Sequence, residues 1–207
     1  MTSSRLRVGV LASGAGTNLQ AILERVHGRE ADVVAVGSDK PAAQALARGR
    51  ALGLATHAFP AADYADRTAR DAAMAAWLTE QDVELVVLAG YMQLVSPAFL
   101  AAFPLRVINV HPALLPAFPG VRAVEQALDY GVKVFGVTVH FVDEGVDSGP
   151  IIAQRAVELP EATDAETVRA ALRPIEHDLL TGAVRLIAGG AVRPDPSHPR
   201  RVLVGGS

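Results

Sequence analysis

The chain has 207 residues, half of them hydrophobic and a fifth charged, with a formal net charge of −3. A large core is available, so a disordered chain is not expected, and the charge balance gives no footprint for DNA or RNA. The lack of cysteine excludes disulfides, thiolate nucleophiles and cysteine zinc sites, and is consistent with a cytoplasmic location.

The opening MTSSRLRVGVLASG passes from a short apolar stretch into a glycine loop, unlike a signal peptide, and no 18-residue apolar stretch is present to span a bilayer. Residues 8–12 are apolar and rich in β-branched side chains, which predicts a buried strand. Leu19, Ile22, Leu23 and Val26 recur at helical spacing over 18–26. A second strand is expected at 32–37, an Ala-rich helix at 42–52 and a short third strand at 54–58. A long helix follows at 64–81 and a strand buried on both faces at 83–89. Ser96 as N-cap and Pro97 at the first helical position mark a short helix over 97–103, and 105–110 is the next strand. Strands alternating with helices predict an α/β fold with a mostly parallel, Rossmann-like sheet flanked by helices.

The second half reads differently. A helix is expected at 122–130, then strand-like segments at 132–142 and 150–157 separated by DEGVDSG, which predicts an antiparallel edge. Residues 163–187 form a long amphipathic helix in which Pro174 predicts a kink or a break. The Pro-rich RPDPSHPRR reads as a surface tail.

Three segments carry residues suited to chemistry. SGAGTNL, Ser13–Leu19, lies between a strand and a helix. Its glycines let backbone approach a ligand, and the helix N-terminus offers free N–H groups and a positive dipole end, with Thr17 and Asn18 as side-chain donors. It has neither the Lys of a P-loop nor the third glycine of a dinucleotide loop, where Leu19 stands instead; Asp39, spaced like a ribose-binding acid, is discounted with it. Phosphate binding and a plain tight turn capped by Asn18 both fit. In VINVHPALLPAFPG, Asn109 and His111 are two apart on a strand and share one side. An amide and an imidazole there suit a carbonyl that becomes an oxyanion; a cap residue beside a hydrogen-bonded histidine is the bland alternative. The third segment, Val142–Ile151, holds Asp143, Glu144 and Asp147 among turn-forming residues, and reads either as a turn or as a carboxylate source for His111. His140 reads equally well as a core residue. The six histidines show no metal-ligand spacing and no GxSxG elbow is present, so no metal and no serine nucleophile are expected.

Together SGAGTNLQAI, LAGYMQLVSPAFL, INVHPALLPAFPG and GVTVHFVDEGVDSGPII closely resemble the folate-dependent phosphoribosylglycinamide formyltransferase family of purine synthesis, in order and spacing, from Val8 to about Ile187. The resemblance implies transfer of a formyl group from 10-formyltetrahydrofolate to the amino group of glycinamide ribonucleotide, with no metal and no nucleoside triphosphate. It implies that Asn109 hydrogen-bonds the formyl oxygen, that His111 is the general acid, and that Asp147 pairs with His111. Gly16, Thr17 and Asn18 would bind the substrate phosphate, Arg173 could reach that phosphate, and Glu176 would contact the ribose. Arg67, Met92, Gln93, Leu94 and Val95 match folate-contacting positions, as do Asn109 and the run Asp143, Glu144, Gly145, Val146 and Asp147. For Met92, Leu94 and Val95, plain core is the competing reading.

The family pattern is broken at Gln93, where some relatives carry Arg, at Ala117 and Phe135, and at Arg173. The proline cluster and the resemblance make Leu115–Pro116 a candidate cis bond. The implied organisation is one formyltransferase domain over 1–190, with a phosphate-binding half to about 104 and a folate-binding, catalytic half from about 105, followed by the tail at 191–207. The partners implied are the two small-molecule substrates, with no nucleic acid and no membrane; a homodimer is allowed. Two related activities compete. A formyltetrahydrofolate hydrolase would share Asn109, His111 and Asp147 but is expected to carry a further N-terminal domain, and a methionyl-tRNA formyltransferase a C-terminal RNA-binding one. A non-catalytic nucleotide-binding α/β module explains the glycine loop alone.

Overall fold

The computed structural model describes residues 5–205. The fold is α/β: a mostly parallel sheet of seven strands with an antiparallel pair at its C-terminal side, flanked by helices. The chain divides into two compact units, the first ending at Asn109 and the second starting at Val110.

In the first unit, strands β1 (Leu6–Leu11), β2 (Ala31–Ser38), β3 (Ala55–Ala58), β4 (Leu85–Leu88) and β5 (Val107–His111, whose last two residues fall in the second unit) run in the order β3-β2-β1-β4-β5 and pair in parallel. Helices α1 (Thr17–Arg25), α2 (Gln44–Ala51), α3 (Arg67–Glu80) and α4 (Pro97–Ala102) connect them, with a short 3-10 turn at Ala61–Asp63 before α3. Val10, Leu11, Val36, Leu85, Val86 and Val87 are buried, as the unbroken apolar runs of strands covered on both faces require. Ser96 caps α4 by accepting from the Phe99 N–H, with Pro97 just inside, as its sequence signature predicts. The expected helix at 64–81 begins three residues later, because Asp66 takes the N-cap position and accepts from the Ala69 N–H.

The second unit contains α5 (Ala123–Tyr130), the antiparallel pair β6 (Val134–Phe141) and β7 (Ile151–Glu158), and α6 (Ala165–Ala188). Two expectations need correction here. Pro174 does not break α6, which runs 24 residues through it. Proline removes one backbone donor and crowds the Ala170 carbonyl, but Val168 and Leu172 before it and Leu179, Leu180 and Val184 after it are buried, and that packing holds both halves in one helix. The described part of the expected tail at 191–207, residues 191–205, is more than a tail. Val192–Asp195 (β8) and His198–Val204 (β9) pair as an antiparallel hairpin within the second unit.

No helix among the described residues is long and apolar enough to cross a membrane.

Candidate active site

The loop of the first unit follows from the residues after β1. Gly16 sits in the left-handed region at φ 69°, which turns the chain directly into α1 without a side-chain cap. The Asn18 cap of the plain-turn alternative is not formed; Gly16 holds the N-cap position. A Cβ on Gly16 would lie 2.9 Å from the Ala45 Cβ and 3.0 Å from its Cα, so α2 presses against the loop here and only glycine fits. The Gly14 carbonyl accepts from the Ala45 N–H at 3.2 Å, and the Ala15 carbonyl from Arg48 Nε at 2.8 Å. Turning these carbonyls towards α2 leaves the amides of the α1 first turn, where no acidic residue stands, as the polar groups at its N-terminus. A depression of about 370 Å³ lies beside the loop, lined by Ser13, Gly14, Ala15, Lys40, Ala43 and Gln44. Lys40 is the one cationic residue among those that line it.

Ser13 links this loop to the segment after β4: its Oγ accepts from the Met92 N–H at 2.8 Å. Met92 and Leu94 are exposed, at 58% and 54%, so the plain-core reading of these two residues is overturned. Val95 is half-buried. Two large apolar side chains held in water by an anchored backbone suit a flat apolar ligand better than a core. Gln93 is fixed on both sides of its amide, accepting from Arg70 Nη1 at 3.4 Å and donating to Asp39 Oδ2 at 3.2 Å. Arg70 in turn donates to the buried Asp71, which also takes the Ser96 N–H at 2.6 Å. An arginine at 93 would face the Arg70 guanidinium; the neutral amide accepts from it instead. Arg67 is exposed at the first position of α3.

The second unit holds the titratable cluster. Asn109 and His111 end β5, and the strand alternation places them on one side. His111 is 5% exposed. Its Nδ1 lies 3.3 Å from Asp147 Oδ2, and its Nε2 lies 2.8 Å from the Phe118 carbonyl oxygen. These two contacts hold the ring in one orientation at the end of β5. Asp147 Oδ2 also accepts from the Gly120 N–H at 2.7 Å, and Oδ1 lies 3.6 Å from His140 Nε2. Burial works to raise the Asp147 pKa, but the His140 hydrogen bond, the Gly120 amide and the charges of His111 and His140 outweigh it and hold the carboxyl below its ordinary value. Phe118 and Asp147 both have left-handed backbones, at φ 53° and 49°. Such non-glycine conformations cost on the order of 1–3 kcal/mol each and persist where surrounding bonds fix them.

The proline segment is a wall whose rigidity comes from more than its prolines. Thr138 Oγ1 donates to the Ala113 carbonyl at 2.7 Å and accepts from the Leu115 N–H at 3.1 Å, while Gln154 Nε2 donates to the Leu115 carbonyl at 2.9 Å. Leu115–Pro116 is cis. Phe135 is core, at 4% exposure.

Sequence reasoning missed His140. It is 1% exposed, its Nδ1 lies 2.8 Å from the Phe141 carbonyl, and the β6–β7 register shifts between Val139 and His140. The extra residue of that irregularity is Ile152 on β7, so His140 keeps the alternation of β6 and shares a side with Thr138. Its one legible signal was the position of a histidine at the end of a strand that leads into the acidic loop. In that loop, Asp143 Oδ1 accepts from the Gly145 N–H at 3.1 Å and from the Ser148 hydroxyl at 2.6 Å, so Asp143 shapes the turn, while Glu144 and Val146 are exposed. On α6, Arg173 is exposed and Glu176 half-buried, three residues apart and so neighbours on the helix surface. No cluster of three or more metal-ligating side chains occurs among the described residues.

A histidine–carboxylate pair at a strand end, on an α/β fold, suits an acyl-group transferase, and the comparisons agree. Residues 6–184 match the formyl transferase family, and the chain belongs to it. It is 41% identical over 185 residues to the phosphoribosylglycinamide formyltransferase of Bacillus subtilis, covering 88% of this chain and 95% of that one. The solved glycinamide ribonucleotide transformylase 1 of Symbiobacterium toebii superposes with a TM-score of 0.91 at 48% identity, over 97% of this chain and 94% of that one. A formyltetrahydrofolate deformylase from Pseudomonas syringae has a TM-score of 0.88 at 27% identity, and the match covers 98% of this chain but 66% of that one.

Proposed function

We infer that this chain transfers a formyl group from 10-formyltetrahydrofolate to the amino group of glycinamide ribonucleotide, giving formylglycinamide ribonucleotide and tetrahydrofolate in purine synthesis. The observation that carries this reading over the hydrolase is the end-to-end similarity to phosphoribosylglycinamide formyltransferases. The donor supplies the formyl carbon. Asn109 donates to the formyl oxygen as negative charge gathers there, and His111 gives that oxygen a proton or shares one with it. Asp147 holds the imidazole in place. Gly16, Thr17 and Asn18 bind the acceptor's phosphate, with Arg173 and Glu176 towards phosphate and ribose. Arg67, the segment Met92–Gln93–Leu94–Val95 and the loop from Asp143 through Glu144, Gly145 and Val146 to Asp147 bind the folate. Both partners are small molecules, the place of action is the cytoplasm, and a homodimer is compatible with the reading.

The acceptor assignment is tested at the loop. Thr17→Ala and Asn18→Ala raise KM for glycinamide ribonucleotide by about tenfold or more and change kcat much less, as expected for contacts equally strong in ground and transition states. Unchanged KM in both variants removes the loop from acceptor binding.

A further inference from the structure

The hairpin β8–β9 lies outside the residues that match the family, yet it does not stand apart from the chemistry. It leaves α6 through backbone bonds that fix its base: Ala191 N–H to the Leu186 carbonyl at 2.9 Å, and Gly205 N–H to the Ala191 carbonyl at 3.1 Å. Its turn is closed by Asp195, whose Oδ1 accepts from the Ser197 N–H at 2.8 Å and hydroxyl at 2.7 Å. Arg201 Nη1 lies 3.6 Å from Asp195 Oδ2, tying the two strands together. A free two-stranded hairpin is marginal in water, and this one is held by its base and by lying alongside β7.

From β9, Arg200 reaches back 52 residues and donates through Nη2 to the Ser148 carbonyl at 2.5 Å. Ser148 directly follows Asp147, and its hydroxyl is the group that closes the turn on Asp143. The far side of this loop is fixed by backbone contact alone: a Cβ on Gly149 would sit 1.8 Å from the Phe141 carbonyl oxygen, and the Phe141 N–H donates to the Pro150 carbonyl at 2.9 Å. Asp147 thus sits between a fixed Gly149–Pro150 end and an exposed run, 143–146, with its own backbone in the left-handed region. A charged donor on the carbonyl of the next residue fixes the orientation of the Ser148–Gly149 peptide and, with it, where the Asp147 carboxylate points.

We propose that the C-terminal hairpin is a buttress for the acidic loop, and that Arg200 is a positioning residue that holds Asp147 in its hydrogen-bonding arrangement with His111, His140 and Gly120. The role of the loop in catalysis rests on the formyl-transfer reading; the mechanical coupling does not. The test compares three full-length variants, Arg200→Ala, Arg200→Lys and Arg201→Ala, by hydrogen exchange of the 143–149 amides and by steady-state kinetics. In Arg200→Ala, loop exchange accelerates and kcat falls, each on the order of threefold to tenfold, the scale of one lost charge-assisted hydrogen bond. KM for glycinamide ribonucleotide stays at the wild-type value. Arg200→Lys keeps a charged donor and restores most of both, and Arg201→Ala loosens the hairpin turn without this effect on kcat. Wild-type exchange and kcat in Arg200→Ala overturn the proposal, as do equal losses in Arg200→Ala and Arg201→Ala. If the wild-type protein transfers no formyl group, the functional reading fails, while the exchange experiment still decides whether Arg200 holds the loop.

Discussion

Replacing His111 with alanine is expected to lower kcat by at least about 10²-fold, the usual scale for lost acid–base assistance, with KM for both substrates close to wild type. The expectation rests on geometry. The ring is 5% exposed and is fixed from both nitrogens, by Asp147 at 3.3 Å and by the Phe118 carbonyl at 2.8 Å. A ring so held has little freedom to serve as a general binding surface, so its removal takes away proton donation rather than substrate affinity. Steady-state kinetics check this. A kcat within about threefold of wild type would be too small a loss for a general acid and would remove His111 from the mechanism.

The second large effect is expected for Asp147→Asn. The carboxylate accepts from the Gly120 N–H and faces both His111 and His140. An amide of the same shape presents one oxygen and one NH2 group, so at least one of these donors meets another donor. The kcat should fall on the order of 10²-fold, and thermal unfolding should shift downward. The pH dependence has a definite sign. The pKa of Asp147 is lowered in the folded protein by the His140 and Gly120 bonds and by the histidine charges, against the opposing effect of burial. Its stabilising contribution is therefore complete above the ordinary aspartate range and is lost as pH falls through the depressed folded value. Activity that needs the carboxylate falls in the same acidic window. In Asp147→Asn both acid-side losses should be absent, and pH titrations of unfolding and of kcat read them directly. A variant that keeps the wild-type acid limb would assign that limb to another group.

Much of this site was legible from residue types and spacing. Period-two alternation placed Asn109 and His111 on one side of a strand end, and the glycines of SGAGTNL marked the turn into α1. Other features depended on tertiary relations that no local pattern encodes. His140 stayed open to a core reading because its partner, Asp147, comes from the loop after β6, which no pattern within β6 shows. The proline segment after His111 is fastened by Thr138 and Gln154, more than twenty residues further along the chain from Leu115. The prolines of RPDPSHPRR suggested a surface tail, whereas Pro194 occupies a short strand of a hairpin, where a missing donor is tolerated. Pro174 misled for the opposite reason: the buried residues on either side of it outweigh the local cost of proline in a helix. Met92 and Leu94 gave the wrong bland reading because apolar residues after a strand most often continue the core, and here they stand in water.

The most direct test of the account is a turnover experiment with 10-formyltetrahydrofolate carrying a labelled formyl carbon, run with and without glycinamide ribonucleotide. Formyl transfer predicts that the label appears as the formamide of the ribonucleotide, at a rate that depends on the acceptor, and that almost none is released when the acceptor is omitted. Label appearing as free formate at the same rate with or without glycinamide ribonucleotide would contradict it and identify the chain as a hydrolase.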